Sequence, residues 1–171
     1  MSITPQPTSG AGKSETYAPI VAQLGGLLAG ERDPWANSAN AAALLFASLP
    51  GLNWAGFYFL RGGELVVGPF QGKPACIRIA LGRGVCGAAA AARRTLLVPD
   101  VHAFADHIAC DSASNSEVVV PIVAADRLVG VLDLDSPVLA RFDEADATGL
   151  ERVAGMIAAG CDWRLAGIDN F

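Results

Sequence analysis

A long stretch without any charged side chain, from Ala36 to Leu60, decides between a membrane protein and a globular one. It is long enough to cross a bilayer. However, Ser48, Pro50 and Gly51 interrupt its middle, a pattern typical of a helix end followed by a turn and a new strand. The N-terminus has no cationic start followed by an apolar segment, so no secretory signal is visible. The sequence therefore predicts a globular, cytoplasmic protein that does not enter a membrane.

Hydrophobic spacing predicts helices near both ends of the chain and short strands between them. Apolar residues recur at helical spacing over residues 14–30 and 143–164, and Asp33-Pro34 is a start signal for a helix that ends near Ser48. Hairpin-linked strands with helices at the ends indicate an α+β domain, with a mostly antiparallel sheet and the N- and C-terminal helices packed on one face. The strands are predicted at 53–60, 64–71, 76–79, 95–98, 117–123 and 128–135, with a short helix at 88–92.

The domain is predicted to occupy residues 14–166, between a disordered N-terminal tail (1–13) and a short C-terminal tail (167–171). The chain has 171 residues, with 17 acidic and 12 basic side chains, and its net charge is −5. This acidity argues against nucleic acid as a partner, because phosphate binding needs clustered cations. From Thr95 to Asp126 there is no Lys or Arg, whereas this stretch contains five acidic residues and both histidines.

Strand alternation groups the candidate binding side chains. In the last strand it places Val129, Val131, Asp133 and Asp135 on one face, and Leu128, Leu132 and Leu134 on the other. Trp54 and Tyr58 share a face of the first strand in the same way. An aromatic pair on one strand and a carboxylate pair on another favour a pocket for a small amphipathic ligand.

The four cysteines, Cys76, Cys86, Cys110 and Cys161, leave three chemistries open. Cys110 lies in a polar segment with acidic neighbours, which indicates a thiol with a role in chemistry, with Cys76 or Cys86 as its redox partner. Alternatively, His107 and Cys110 bind zinc together with Cys76 and Cys86. In the third interpretation the chain is a ligand sensor whose cysteines are incidental and whose glycine-rich loop, 82–87, approaches the ligand.

Six segments that occur in order go further than composition does. Together they closely resemble the free methionine-(R)-sulfoxide reductases, which are built on a GAF domain, and the resemblance covers roughly residues 14–160. The segments are Asn53–Tyr58, Gly68–Cys76, Gly82–Gly87, Asp100–His102, His107–Ser114 and Asp133–Pro137.

This resemblance implies reduction of free L-methionine (R)-sulfoxide, not of sulfoxides within proteins. It implies that Cys110 attacks the sulfoxide sulfur, that Cys76 resolves the resulting sulfenic acid as a disulfide, and that Cys86 is an alternative partner. Thioredoxin would reduce the disulfide, and no metal or other cofactor is implied. Members of the family are commonly homodimers.

The resemblance also implies how the substrate is held. Carboxylates matching Glu117, Asp133 and Asp135 bind the substrate ammonium group and the sulfoxide oxygen. The aromatic ring matching Trp54 packs against the methyl end, with Tyr58 nearby. For the substrate carboxylate we expect backbone amides near Ile108, Ala109 and Cys110, because this stretch contains no cationic side chain. Cys161 falls on the apolar stripe of a helix and is predicted to lie in the core.

Overall fold

The computed structural model describes residues 13–106, 108 and 111–168, which form one six-stranded antiparallel sheet with helices on both faces. Apart from Lys13, the predicted N-terminal tail lies outside the described residues. The strands are arranged in the order β3-β2-β1-β6-β5-β4. The helices are α1 (Lys13–Leu28), α2 (Pro34–Ser48), α3 (Gly84–Ala92) and α4 (Glu144–Gly160), and the strands are β1 (Trp54–Arg61), β2 (Glu64–Gly72), β3 (Arg78–Ala80), β4 (Leu96–Val98), β5 (Ser116–Ala124) and β6 (Arg127–Ser136).

Local signals fix several of these boundaries. The Asp33 carboxylate accepts hydrogen bonds from the amides of Trp35 and Ala36, at 2.8 and 2.9 Å, so α2 begins where the sequence predicts. Gly62 and Gly63 both have positive φ angles and form the two-residue turn between β1 and β2, whereas the sequence predicts a turn that also includes Arg61. These turn and cap residues therefore set where the chain enters and leaves the sheet.

Two separate apolar clusters lie on the two faces of the sheet. The larger one holds α1, α2 and α4 against one face, as predicted for the terminal helices, and it includes Cys161, which is buried as expected. The smaller one holds α3 against the opposite face, with Val85, Cys86 and Ala89 among its buried residues. The predicted α+β architecture is thus confirmed, and α3 forms a second layer that covers the site described below.

One prediction of strand alternation is wrong. Leu128 belongs to the cluster beneath α3, whereas Val129 packs in the cluster of the terminal helices. The cause is a bulge, because the pairing of β5 with β6 shifts register between Ile122 and Val123. Asp133 and Asp135 lie beyond this bulge, so their predicted common face is unaffected.

Other element boundaries differ from those predicted. Helix α3 begins at Gly84 rather than at residue 88, so four of the six residues of the glycine-rich segment 82–87 are helical. Strand β3 begins after Cys76, and α4 ends at Gly160 before a separate 3₁₀ turn. Ile168, placed in the C-terminal tail by the sequence, is buried in the larger core.

Within the described ranges, no helix combines the length and apolar character needed to span a bilayer.

Candidate active site

The register of three adjacent strands brings the predicted binding residues onto one face of the sheet. Trp54 of β1 pairs with Asp135 of β6, and Gly56 pairs with Asp133. On the other side of β6, Glu117 of β5 also pairs with Asp135. Since directly opposed side chains lie about 5 Å apart at Cβ, the three carboxylates and the indole ring face one small volume.

A pocket lies between this face and the N-terminal half of α3. Its space, including the open mouth, is about 520 Å³. Tyr58, Trp54 and the three carboxylates all line it. The residues that the sequence assigned to substrate binding therefore meet in one cavity, as far as the structure describes them.

The aromatic wall of the pocket is a stacked arrangement. The Trp54 ring lies 5.7 Å from that of Tyr58 and 5.2 Å from that of Phe70, and its Nε1 donates to the Lys73 carbonyl oxygen at 3.2 Å. A Cβ added at Gly56 would lie 2.6 Å from the Trp54 ring. Glycine at this position therefore lets the indole lie flat along the strand and present an apolar surface to the pocket.

The floor of the pocket is formed by buried acids. Glu117 and Asp133 are 6% and 5% exposed, and a hydrogen bond joins their side chains. Burial raises the pKa of Asp133 to about 7, and burial together with the charge of Asp133 raises the pKa of Glu117. The pKa of Asp135 is raised by the same two causes. Because a hydrogen bond between two carboxyl groups requires a proton, this floor stores one near neutral pH.

Cys86 lies beside these acids on α3. Its thiol donates to Glu117 Oε1 at 3.9 Å, and burial followed by the charge of Asp133 raises the thiol pKa. Tyr58 is also buried, which raises the pKa of its hydroxyl. Both groups are therefore neutral at physiological pH, and Cys86 is a weak nucleophile in this state.

The segments that carry the other two predicted redox cysteines reach the same pocket. Cys76 is disulfide-bonded, whereas Cys86 and Cys161 are free thiols. Ala75, next to Cys76, lines the pocket, and so do Ile108 and Asp111, which lie on either side of residues 109–110. Cys110, with its neighbours His107 and Ala109, lies outside the described residues.

A polar network holds the segment that follows Cys110 in sequence. Asn53 Nδ2 donates to Asp111 Oδ2 at 3.2 Å and to Ser114 Oγ at 2.9 Å, and the Asn53 amide donates to the Asp135 carbonyl oxygen. Lys73 Nζ lies 3.4 Å from the Asp111 carboxylate. The amide of Ala113 is the main cause of the lowered pKa of Asp111. The network ties this segment to β1 and to the segment before Cys76.

Sequence reasoning gave no role to three polar residues of this region. Asn53 and Ser114 both lie in motifs that carry the family resemblance, and this position was the only sequence signal that pointed to them. Their contact with each other depends on the tertiary structure. Arg83 also lines the pocket and is the one cationic side chain among its described lining residues. Its Nη1 lies 3.7 Å from Asp106 Oδ2 at an exposed position. An acidic floor and a cation in the same lining suit a zwitterionic ligand.

The zinc hypothesis based on the sequence loses one of its four ligands, because a disulfide-bonded Cys76 cannot supply a thiolate. Two other members of that set, His107 and Cys110, lie outside the described residues. Among the described residues, one group of three side chains has suitable ligand atoms close together, namely Cys86, Glu117 and Asp133. This group is different from the one that the sequence suggested.

Comparisons with known proteins agree with this architecture. The GAF domain family matches residues 15–160. The free methionine-R-sulfoxide reductase of Escherichia coli strain K12 is 49% identical over 145 residues, which are 85% of this chain and 88% of that protein. The crystal structure of the free methionine-R-sulfoxide reductase from Neisseria meningitidis in complex with its substrate has a TM-score of 0.85 at 46% identity, covering 89% of this chain and 92% of that one. A protein from Burkholderia vietnamiensis that has been assigned as a GAF sensor is similar at 58% identity and a TM-score of 0.86, over 91% and 99% of the two chains.

Proposed function

The chain belongs to the GAF domain family, and within it to the free methionine-R-sulfoxide reductases, and we propose that it reduces free L-methionine (R)-sulfoxide by a thiol mechanism. One observation carries this proposal. The residues flanking Cys110 and the residue before Cys76 line the same pocket as two buried carboxylates, the partly buried Asp135 and an aromatic wall. Two thiols, a proton store and an apolar surface are the groups that sulfoxide reduction requires.

The proposed reaction balances in two thiol steps. The Cys110 thiol gives up its proton and its sulfur attacks the sulfoxide sulfur, while the sulfoxide oxygen takes up a proton. The resulting hydroxyl then passes to the Cys110 sulfur as the bond between the two sulfurs breaks, which leaves methionine and a Cys110 sulfenic acid. The Cys76 thiolate then attacks the Cys110 sulfur, the oxygen leaves as water, and a disulfide forms. The disulfide-bonded state of Cys76, with Cys86 and Cys161 free, supports this pairing. Thioredoxin would return both cysteines to thiols by thiol–disulfide exchange.

The acidic floor has two roles in this proposal. The proton shared by Glu117 and Asp133 is donated to the sulfoxide oxygen as Cys110 attacks, so that the oxygen can pass to Cys110 as a hydroxyl group. The remaining negative charge, together with that of Asp135, binds the substrate ammonium group. Trp54 supplies the apolar surface for the methyl end of the substrate. Arg83 joins the expected backbone amides near Ile108 as a partner for the substrate carboxylate.

Recognition of the ammonium group predicts a strict preference for the free amino acid. N-acetylation removes the charge and leaves the buried carboxylates without a partner, so kcat/KM should fall by at least about 100-fold. The measurement compares methionine release from free methionine (R)-sulfoxide with N-acetylmethionine release from the acetylated (R)-sulfoxide. Methionine (R)-sulfoxide methyl ester is the matched control, because it keeps the ammonium group. Equal turnover of the free and acetylated substrates would contradict the carboxylate assignment.

The Cys76→Ser variant separates attack from resolution. We expect it to release about one methionine per enzyme in a single turnover, because the first step does not involve this thiol. Steady-state turnover with thioredoxin should then slow strongly, with Cys86 or a small external thiol as the remaining route. Quench-flow analysis of methionine release, followed by steady-state rates, gives both results. A variant without any burst would show that Cys76 takes part in the attack itself.

The alternative is a small-ligand sensor without catalysis. The similarity to the Burkholderia vietnamiensis protein that has been assigned as a GAF sensor supports this alternative. Purified protein that retained a small molecule and reduced no sulfoxide would favour it. The homodimer and the cytoplasmic location stay predictions from the sequence. Light scattering of the purified protein measures the first, and fractionation of cells measures the second.

A further inference from the structure

The floor of the pocket contains an orphaned acceptor that the proposed reaction does not fully explain. Asp133 is 95% buried, and its Oδ1 atom has no hydrogen-bond partner among the described residues. A buried carboxylate oxygen without a partner is costly, and native proteins usually satisfy such atoms with a ligand, a water or an ion. This atom therefore indicates a binding partner at the floor.

The neighbouring side chains have the chemistry of a metal site. The sulfur of Cys86 and one carboxylate oxygen each from Glu117 and Asp133 all lie within 4.8 Å of one another, and all three residues are buried. They come from α3, β5 and β6, three elements fixed by the two cores. Bonds of about 2.0–2.3 Å in a tetrahedral arrangement place ligand atoms about 3.3–3.8 Å apart, so adjustments of about 1 Å would complete the geometry.

We propose that Cys86, Glu117 and Asp133 form a reversible inhibitory site for a thiophilic divalent cation such as Zn²⁺ or Co²⁺. One sulfur and two oxygen ligands match the borderline softness of these ions and do not match Mg²⁺ or Ca²⁺, which prefer oxygen alone. The pocket supplies space for a fourth ligand from solvent. This site does not overlap the zinc set predicted from the sequence except at Cys86.

Charge favours the same conclusion. Glu117, Asp133 and Asp135 line one pocket, and the one cationic side chain among its described lining residues, Arg83, lies at an exposed position. A divalent cation bound by the Cys86 sulfur and the Glu117 and Asp133 carboxylates would displace to solvent both the proton that the two acids share and the thiol proton. The three ligands and the ion would then carry one net negative charge. Because the proton and the ammonium site are then both lost, the ion excludes the substrate. This last consequence rests on the proposed function, whereas the binding itself does not.

The test uses the disulfide form of the full chain, in which Cys86 remains a free thiol. Co²⁺ alone is titrated into the protein and followed by absorption, because a cobalt–thiolate bond gives a charge-transfer band in the near ultraviolet. We expect one Co²⁺ per chain with this band, and displacement of Co²⁺ by Zn²⁺. The Cys86→Ser variant should lose the band, and Asp133→Asn should weaken binding on the order of 100-fold through the loss of a ligand.

Cys161→Ser is the matched control, because this second free thiol lies in the other core, 3.6 Å from Asn37 Nδ2, and should leave cobalt binding unchanged. Thermal unfolding checks that each variant is folded, and Glu117→Gln replaces Cys86→Ser if that variant is not. Absence of a thiolate band, or a band that persists in Cys86→Ser, would overturn the proposal. Neither result depends on turnover, so failure of the metal-site proposal would leave the proposed sulfoxide reduction untouched, and the reverse also holds.

Discussion

The Cys110→Ser variant is expected to release no methionine from free methionine (R)-sulfoxide, even in a single turnover. A hydroxyl at this position is a far weaker nucleophile toward sulfur and cannot form a sulfenic acid. We therefore expect the rate of methionine release to fall by at least about 10,000-fold. The measurement is quench-flow methionine release from the reduced variant, compared with the reduced wild-type protein under the same conditions.

Cys161→Ser is the matched control for this experiment. Cys161 is buried in the layer of terminal helices, away from the pocket, so its replacement should change the rate little. A stoichiometric burst from Cys110→Ser, with none from Cys76→Ser or Cys86→Ser, would show that another thiol is the nucleophile. The assignment would then move to whichever cysteine abolishes the burst.

Asp133→Asn is expected to have the second-largest effect, a fall in kcat of about 100- to 10,000-fold. The amide keeps the size of the side chain but cannot hold and donate the proton that Asp133 shares with Glu117. In the wild-type protein, burial raises the pKa of Asp133 to about 7. A reaction that needs the protonated group is therefore fastest below this pH and slows as pH rises through it.

The pH profile distinguishes proton donation from a structural role. In wild-type protein, the single-turnover rate constant for methionine release should decrease above pH 7. In Asp133→Asn this decrease should shift or disappear. Asp111→Asn is a useful comparison, because the pKa of this partly buried carboxylate lies below its usual range and it stays charged in the range tested. A wild-type rate that rises through pH 7, or an unchanged rate in Asp133→Asn, would contradict the role of the acidic floor.

Local signals in the sequence were sufficient where the structure depends on neighbouring residues. The Asp33-Pro34 start of α2 and the Gly62-Gly63 hairpin are examples, because caps and positive-φ turns are formed within a few residues. The ends of α3 and α4 could not be predicted in this way. Gly84 begins α3 in a position where a Cβ would lie 3.2 Å from Ile108, and the Asp162 amide donates to the distant Arg32 carbonyl oxygen just after α4.

The candidate site shows the same division. Alternation along β6 predicted that Asp133 and Asp135 share a face, since a period of two survives in any strand that has no bulge between them. The position of Arg83 in the pocket depends on how α3 packs over the sheet, which the sequence pattern does not contain. The hydrogen bonds from Asn53 to Asp111 and Ser114 join segments almost 60 residues apart. Such contacts become visible only when the strand register is known.

The central claim is tested most directly by mixing reduced protein with racemic free methionine sulfoxide and separating the epimers by chiral chromatography. Without a recycling reductant, the (R) epimer should decrease by about one equivalent per chain, an equal amount of methionine should form, and the (S) epimer should be unchanged. With thioredoxin and its reductase, the (R) epimer should be consumed completely. Consumption of the (S) epimer, or no methionine from either epimer, would contradict the account.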